Sequence, residues 1–448
     1  VYLNYHWKPI LLQRIKSAIA VSTDELYRID FDDINVNFVS GKVTIENIRF
    51  IPDKVVYEKM KLEGTAPSHV YSVEIAELIL RRIQPWKVYF QNKLEINSIE
   101  ISSPVLNVTF TDLKRKNTSE RGKSLTAYQY LSPYLKSLKI GSVIFRDADF
   151  KYVDVANNNY KATALKGLYV KISDILIDST SQFDRSRLYY TKDIFAELLG
   201  YQTITLDSNY VVKFNEFRAS TSGGYARIRG LSVKPRYREM EFSRRFKYQK
   251  SRYSVDIDEV QFNKVNYDLL NKDRRLEAAS LIFKKANFAI FLNKQKPDSI
   301  RDKGLNFPQL ALQRFKLNTS IDTILLQNSR VDYSEFNPNS LRKGTLTFSK
   351  VNGTILNVSN DSVSLARNKF SDVKLTCLLM DRGRMDVNMR INLPDPRGTF
   401  SFKGALGKID AEVLNSAIRP LSLIEIKSGF IDMMLFDGSG SIRGVRGN

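Results

Sequence analysis

Apolar residues along most of this chain recur with period two. They form short runs rich in Val, Ile, Phe, Tyr and Thr, separated by Asn, Asp, Gly and Ser, the pattern of strands and turns. Five runs share a stricter form: apolar, any, apolar, two residues, apolar, any, apolar. They are Ile29-Asp-Phe-Asp-Asp-Ile-Asn-Val36, Val43-Thr-Ile-Glu-Asn-Ile-Arg-Phe50, Leu94-Glu-Ile-Asn-Ser-Ile-Glu-Ile101, Val212-Lys-Phe-Asn-Glu-Phe-Arg-Ala219 and Val255-Asp-Ile-Asp-Glu-Val-Gln-Phe262. Looser versions begin at Val73, Leu138, Leu281, Leu310 and Leu346.

Alternation places neighbouring apolar side chains on one face of a strand, and a two-residue gap moves the next pair to the other face. Both pairs stay inside only if a bulge absorbs a residue or the strand bends. Repeated phase slips of this kind predict an all-β fold: an elongated, curved and twisted antiparallel sheet of repeated strand units, forming a groove or an open sandwich.

A longer likeness supports repetition. The stretch from Val265 to Asn293 resembles the one from Val331 to Ser359, with a weaker copy at Ala148 to Asp174, which predicts stacked units about 65 residues apart. Helical spacing occurs over Lys8 to Ala20, where Ile10, Leu11, Ile15, Ala18 and Ile19 share a face, and again around Leu125 to Leu138 and Leu188 to Leu199. The most polar stretches, Asp112 to Lys123, Lys234 to Arg252 and Asn293 to Lys303, read as exposed loops or hairpin tips. The organisation expected is an N-terminal helical segment, 1–23, and a continuous repetitive β body, 24–448, with a weak subdivision near 200–254.

The composition, 43% apolar and 26% charged, allows a packed core. An excess of 69 Lys and Arg over 48 Asp and Glu gives a net charge of +21, which attracts polyanions: nucleic acid, anionic phospholipid or lipopolysaccharide. It also keeps a large β surface soluble and blunts sheet edges. The single cysteine, Cys377, sits in an apolar run and reads as a core residue, so no disulfide framework exists. No run of about 20 apolar residues spans a bilayer. The first residue is Val, consistent with a processed segment, such as a membrane anchor, preceding it.

Chemistry is sparse. Only His6 and His69 are present, and the nucleotide-binding, metalloprotease, redox and hydrolase-elbow motifs are missing. The glycine-rich Asp437-Gly-Ser-Gly-Ser-Ile-Arg-Gly444 reads as a turn between strands. Asp32, Asp33, Asp256, Asp258 and Glu259 fall at polar positions of alternating runs, which places them on a solvated face. An enzyme is not expected, and no cofactor or metal is implied. The basic run Lys234 to Tyr253 interleaves cations with Tyr and Phe. Its Arg236, Arg238, Arg244, Arg245, Lys247, Lys250 and Arg252 suit an anionic surface, and nucleic acid is disfavoured because no binding motif accompanies them.

Several stretches resemble the AsmA-like family of periplasmic β-groove proteins, which includes the TamB and YhdP relatives. They are Trp7-Lys-Pro-Ile-Leu11, Leu26 to Asn37, Gly41 to Asp53 with Val56-Tyr57, Ile96 to Val108, Gly344 to Ile355, and Leu414 to Leu421 with Lys427-Ser-Gly429. The resemblance implies an N-terminal inner-membrane anchor, a body in the Gram-negative periplasm, and a β-groove with an apolar floor, proposed in larger relatives to carry phospholipid between membranes. Partners implied are phospholipid or another anionic lipid, a membrane surface and envelope assembly proteins. The expected role is lipid handling or transport in outer-membrane biogenesis. The alternatives are a non-catalytic scaffold for envelope assembly and, further off, a polyanion binder. Candidate groove residues are Ala286, Phe288, Ile290, Leu292, Leu346 and Phe348; the same residues would equally build a closed sandwich core.

Overall fold

A computed structural model describes residues 16, 20, 23–37, 39–112, 126–155, 161–298 and 307–447. Strands account for 58% and helices for 16%, so the fold is all-β and its short helices serve as connections and covers. The helix expected over Lys8 to Ala20, apart from Lys16 and Ala20, and positions 113–123 and 299–303 of the two polar stretches lie outside the described residues. The chain forms two compact units, Val1–Leu199 with Ala219–Ser222, and Gly200–Arg218 with Gly223–Asn448.

In the first unit, β1 (Tyr27–Asp30) and β2 (Asp33–Asn37) both pair antiparallel with β3 (Lys42–Pro52). Helix α1 (Lys54–Glu63) leads to β4 (His69–Arg81), which pairs antiparallel with β3. Helix α2 (Pro85–Gln91) precedes β5 (Lys93–Ser102) and β6 (Val105–Phe110), both antiparallel to β4. After α3 (Ala127–Leu131), β7 (Ser137–Asp154) runs parallel to β5 and β6, and β8 (Lys161–Ile177) and β9 (Asp193–Ile204) follow antiparallel.

The second unit uses the same order: β10 (Tyr210–Ser220), β11 (Tyr225–Pro235), α4 (Glu239–Arg244), β12 (Arg252–Asn263), α5 (Tyr267–Asp273) and β13 (Arg275–Asn293). Then come α6 (Pro308–Gln313), β14 (Asn318–Asn337), β15 (Arg342–Ser359), α7 (Ser362–Arg367) and β16 (Phe370–Leu379). The β13 and β14 pair is parallel. The sheet is extended by β17 (Gly383–Asn392) and β18 (Phe400–Leu406). A short pair, β19 (Ile409–Asp410) and β20 (Phe430–Ile431), flanks α8 (Asn415–Ser422), and the sheet resumes with β21 (Met434–Ser441) and β22 (Gly444–Gly447).

The two units repeat one another to the register. In β7 and β8, Phe145, Ala148 and Phe150 face Val170, Leu168 and Leu165 across two register shifts. In β14 and β15, Leu326, Ser329 and Val331 face Gly353, Val351 and Phe348 across the same two shifts. The parallel ladders also correspond: Lys93 with Ser137 and Val105 with Asp149 in one, Arg275 with Asn318 and Asn287 with Arg330 in the other. The Tyr27 hydroxyl accepts from the Tyr71 amide at 3.2 Å, and that of Tyr210 from Tyr253 at 3.3 Å. The repeat is therefore about 180 residues long, not about 65. The likeness of Val265 to Val331 reflects β13 against β15 alone, since Tyr267–Asp273 is helical where Val331–Asn337 is strand. The weaker copy beginning at Ala148 lies in the true counterpart of the Val331 stretch, with Ala148 matching Ser329 and Phe150 matching Val331.

The expected phase slips are present. Ile257 and Val260 straddle the two-residue gap of their run, yet both enter one cluster with Leu281, Ala286 and Ile321. The inflections are taken up by residues at positive φ, among them Asn47, Ser103 and Asp147 in the first unit and Lys285, Asn328 and Lys350 in the second.

Three readings are corrected. Leu188 to Leu199 is not helical: Ile194, Ala196 and Leu198 pair with β8, and tertiary pairing overrides the helix propensity of Ala-Glu-Leu-Leu. The glycine-rich stretch from Asp437 holds the expected turn only at Ile442–Arg443, between β21 and β22; Asp437 to Ser441 belong to β21, where a Cβ on Gly440 would lie 2.4 Å from the Phe400 ring. Leu310, taken as the start of a strand run, lies in α6.

Candidate apolar cleft and basic segment

In the second unit, cross-strand pairing lines up most of the predicted groove residues. Phe288, Val331, Phe348 and Leu379 form one row, and Tyr253, Ile290, Tyr333 and Leu346 the next. Directly paired side chains share a face, so Phe288, Ile290, Leu346 and Phe348 lie together, with Leu292 one row on beside Glu335. All five are half-buried although their strands are central. Ala286 differs: at 0% exposure it is sealed within the core.

Helix α8 covers the far end of this face. A Cβ on Gly344 would sit 2.6 Å from Leu421 Cγ, and the Asn337 side-chain amide donates to the carbonyls of Pro420 and Leu421 at 3.1 and 2.8 Å. Beside it the Tyr333 hydroxyl donates to Glu335 at 2.5 Å, and burial, reinforced by that carboxylate, raises the phenol pKa.

At the other end the face opens into a cleft of about 640 Å³. Its floor is Ile324, Ile355, Val358, Val373, Met389, Ile391 and Phe400, from β14 to β18, and its roof is Phe307, Leu312 and Phe315, in and around α6. Pro308 at the first turn and the Leu-Ala-Leu run favour this short helix. The roof is strapped down on both sides by amides. Gln309 donates to the Gly398 carbonyl at 3.0 Å and Gln313 to that of Leu393 at 2.5 Å. Opposite them, Asn360 donates to the carbonyls of Leu312, Phe315 and Leu317 at 3.1, 2.9 and 3.2 Å. The polar side chains lining the cleft are Gln309 and Ser371, and Ser371 is likewise committed, to the Leu356 carbonyl at 2.7 Å. The lining offers no charge.

The loop that anchors α6 is organised by Asp395. Hydrogen bonds from the Thr399 hydroxyl and the Arg397 amide, with the Arg397 guanidinium beside it, hold its carboxyl at about 2.

The basic run is the connection between antiparallel β11 and β12, as expected of a hairpin tip, and most of its cations are exposed, but it is pinned at its centre by α4. Phe242 in α4 is 1% exposed, edge-on to Tyr210 at 5.8 Å and 5.1 Å from Phe246, and Asn293 donates to the Ser243 hydroxyl at 2.9 Å. Around this anchor the Arg245 guanidinium lies 4.2 Å from the centre of the Tyr237 ring and Arg236 5.9 Å from it. Arg245 also donates to Asn209 and Arg236 to the Ser208 carbonyl. Lys247 sits over Tyr248 at 5.5 Å and Lys250 over Phe246 at 6.0 Å. Arg238 and Arg244 are exposed, whereas Arg252 turns inward to the Tyr237 carbonyl at 3.0 Å and burial lowers its pKa. None of these seven cations has a carboxylate within ion-pair distance among the described residues.

Of the carboxylates singled out in the sequence, Asp32, Asp256, Asp258 and Glu259 are tied to cations. Glu259 is 2.6 Å from Lys284 and 3.0 Å from Arg229; burial works to raise its pKa, and these two bonds outweigh it and hold it low. Asp256 pairs with Lys234, Asp258 with Lys285 and Asp32 with Arg49. Among the described residues no group of three His, Cys, Asp or Glu could hold a metal ion, and no helix is long and apolar enough to cross a membrane. Cys377 is buried, and burial raises its thiol pKa.

Comparison with protein-family models and with curated proteins returns no match.

Sequence reading located the upper rows of this face but missed the cleft. Its lining comes from Phe307 to Phe400, and α6 supplies the roof from a stretch that reads as a strand run.

Proposed function

We propose that this chain handles lipid, holding the hydrocarbon part of the ligand in the cleft beneath α6. The observation that carries this is the lining: a floor of aliphatic and aromatic side chains under a strapped roof, with its polar groups committed to main-chain carbonyls. Clefts of roughly 300–1,000 Å³ accommodate a small-molecule ligand, and a surface without hydrogen-bonding capacity selects hydrocarbon. The face continuing through Phe348 and Ile290 supplies further apolar surface for a longer chain. The resemblance of Leu26 to Asn37, Gly41 to Asp53 and Gly344 to Ile355 to AsmA-like proteins supports the periplasm as the compartment, inner-membrane tethering by a preceding helix, and a part in outer-membrane biogenesis.

The second reading, a non-catalytic scaffold for envelope assembly, draws on α8 and Ala286, which close part of the same face. Fluorescent fatty-acid uptake separates the two. Binding that weakens at least tenfold in Ile355→Phe and Val373→Phe, variants that fill the cleft, supports lipid handling. No uptake by the folded wild-type chain favours the scaffold.

A further inference from the structure

We propose that the segment from Arg236 to Lys250 is a docking surface for an anionic bilayer. The proposal extends the lipid reading and is tested apart from it. Seven cations, counted with Arg252, fall within seventeen residues against Glu239 and Glu241, and Glu239 is engaged by Lys343 at 2.9 Å. Elsewhere in this unit cations such as Lys284, Arg229 and Lys234 are matched by carboxylates of the neighbouring strand. A packed element with this surplus of cations over carboxylates leaves a positive field on its exposed side.

The segment is also rigid where it needs to be. Phe242 is locked in the core, while Arg236, Arg245 and Arg252 are held by carbonyl or amide oxygens; Arg238, Arg244, Lys247 and Lys250 remain outward. Tyr237, Phe246 and Tyr248 are interleaved with the cations, the pairing that suits a headgroup layer, where amphipathic rings and basic groups reside together. This favours a bilayer over single-stranded nucleic acid, because base stacking needs free ring faces and Tyr237 already carries two guanidiniums, with Lys247 over Tyr248 and Lys250 over Phe246.

Each basic side chain beside an anionic membrane multiplies partitioning about fivefold. The test is flotation of the full chain with phosphatidylcholine vesicles, with and without about one-third phosphatidylglycerol, at about 0.1 M and 0.5 M salt. The triple variant Arg238→Gln, Arg244→Gln, Lys247→Gln removes no side-chain hydrogen bond or ion pair among the described residues and gives up only the contact of Lys247 with the Tyr248 ring, and Lys54→Gln, Lys93→Gln, Lys136→Gln is the charge-matched control. Binding that requires phosphatidylglycerol, weakens with salt and drops about 100-fold in the first triple only would establish the surface. Equal losses in both triples, equal binding to neutral vesicles, or displacement by single-stranded DNA from a tighter site on the same residues would overturn it. Fatty-acid uptake is the independent readout: its failure with vesicle binding intact removes the cleft reading and leaves the docking surface standing, and the reverse pattern does the opposite.

Discussion

The side-chain amide of Gln309, 4% exposed, donates its hydrogen bond to the main-chain carbonyl of Gly398, some ninety residues along the chain, at 3.0 Å. That bond fixes one side of the cleft roof, and Asn360 fixes the other. Replacing Gln309 by Leu leaves a buried carbonyl without its donor and should cost about 1–3 kcal/mol; Asn360→Leu removes three donations and should cost at least as much. Chemical denaturation measures both. A loss below about 0.5 kcal/mol in each would show that the roof is not held this way.

Lys285 and Lys350 carry the strand inflections at φ 48° each. A side chain at positive φ is strained and glycine is not, so Lys285→Gly and Lys350→Gly should be neutral or stabilising by up to about 1 kcal/mol, despite the entropy glycine adds to the unfolded chain. Lys285→Val should destabilise by more than about 1 kcal/mol, since a β-branched residue tolerates this conformation least. Equal effects of Gly and Val in thermal melting would remove the conformational explanation.

The inflections show what the sequence makes legible. Alternation with a two-residue gap announces strands that must slip phase, and Ile257 and Val260 do so. The positions of the slips follow neither from Gly nor from Asn alone, because Lys and Ser hold several of them. The long repeat was hidden for the same reason: it is conserved as register and φ, with Ser103 standing where the second unit has Lys285. Helix and strand were confused where packing decides, at Leu188 to Leu199 and at Leu310. The basic segment was visible as charge, but its burial depends on Phe242 meeting Tyr210, and pairings between distant strands leave no local mark.

Acid should loosen the α6 anchor only below about pH 4, at the lower edge of the ordinary carboxylate range. Asp395 in the fold titrates at about 2, below its ordinary value, so its contribution is fully present above about pH 4 and is lost as pH falls toward 2. Asp395→Asn should therefore lower the melting temperature at pH 7, with the gap from wild type narrowing between about pH 4 and pH 2. A gap independent of pH over that range would assign the effect to lost packing or geometry instead of charge.

Native mass spectrometry, with lipid extraction, on the chain purified from membranes in mild detergent addresses the central claim most directly. Co-purified lipid on the wild-type chain, reduced at least tenfold when Ile355 and Val373 are changed to Phe and retained in Arg238→Gln, Arg244→Gln, Lys247→Gln, is the result predicted. A lipid-free chain that also takes up no added phospholipid, or a lipid load unchanged by filling the cleft, would contradict it.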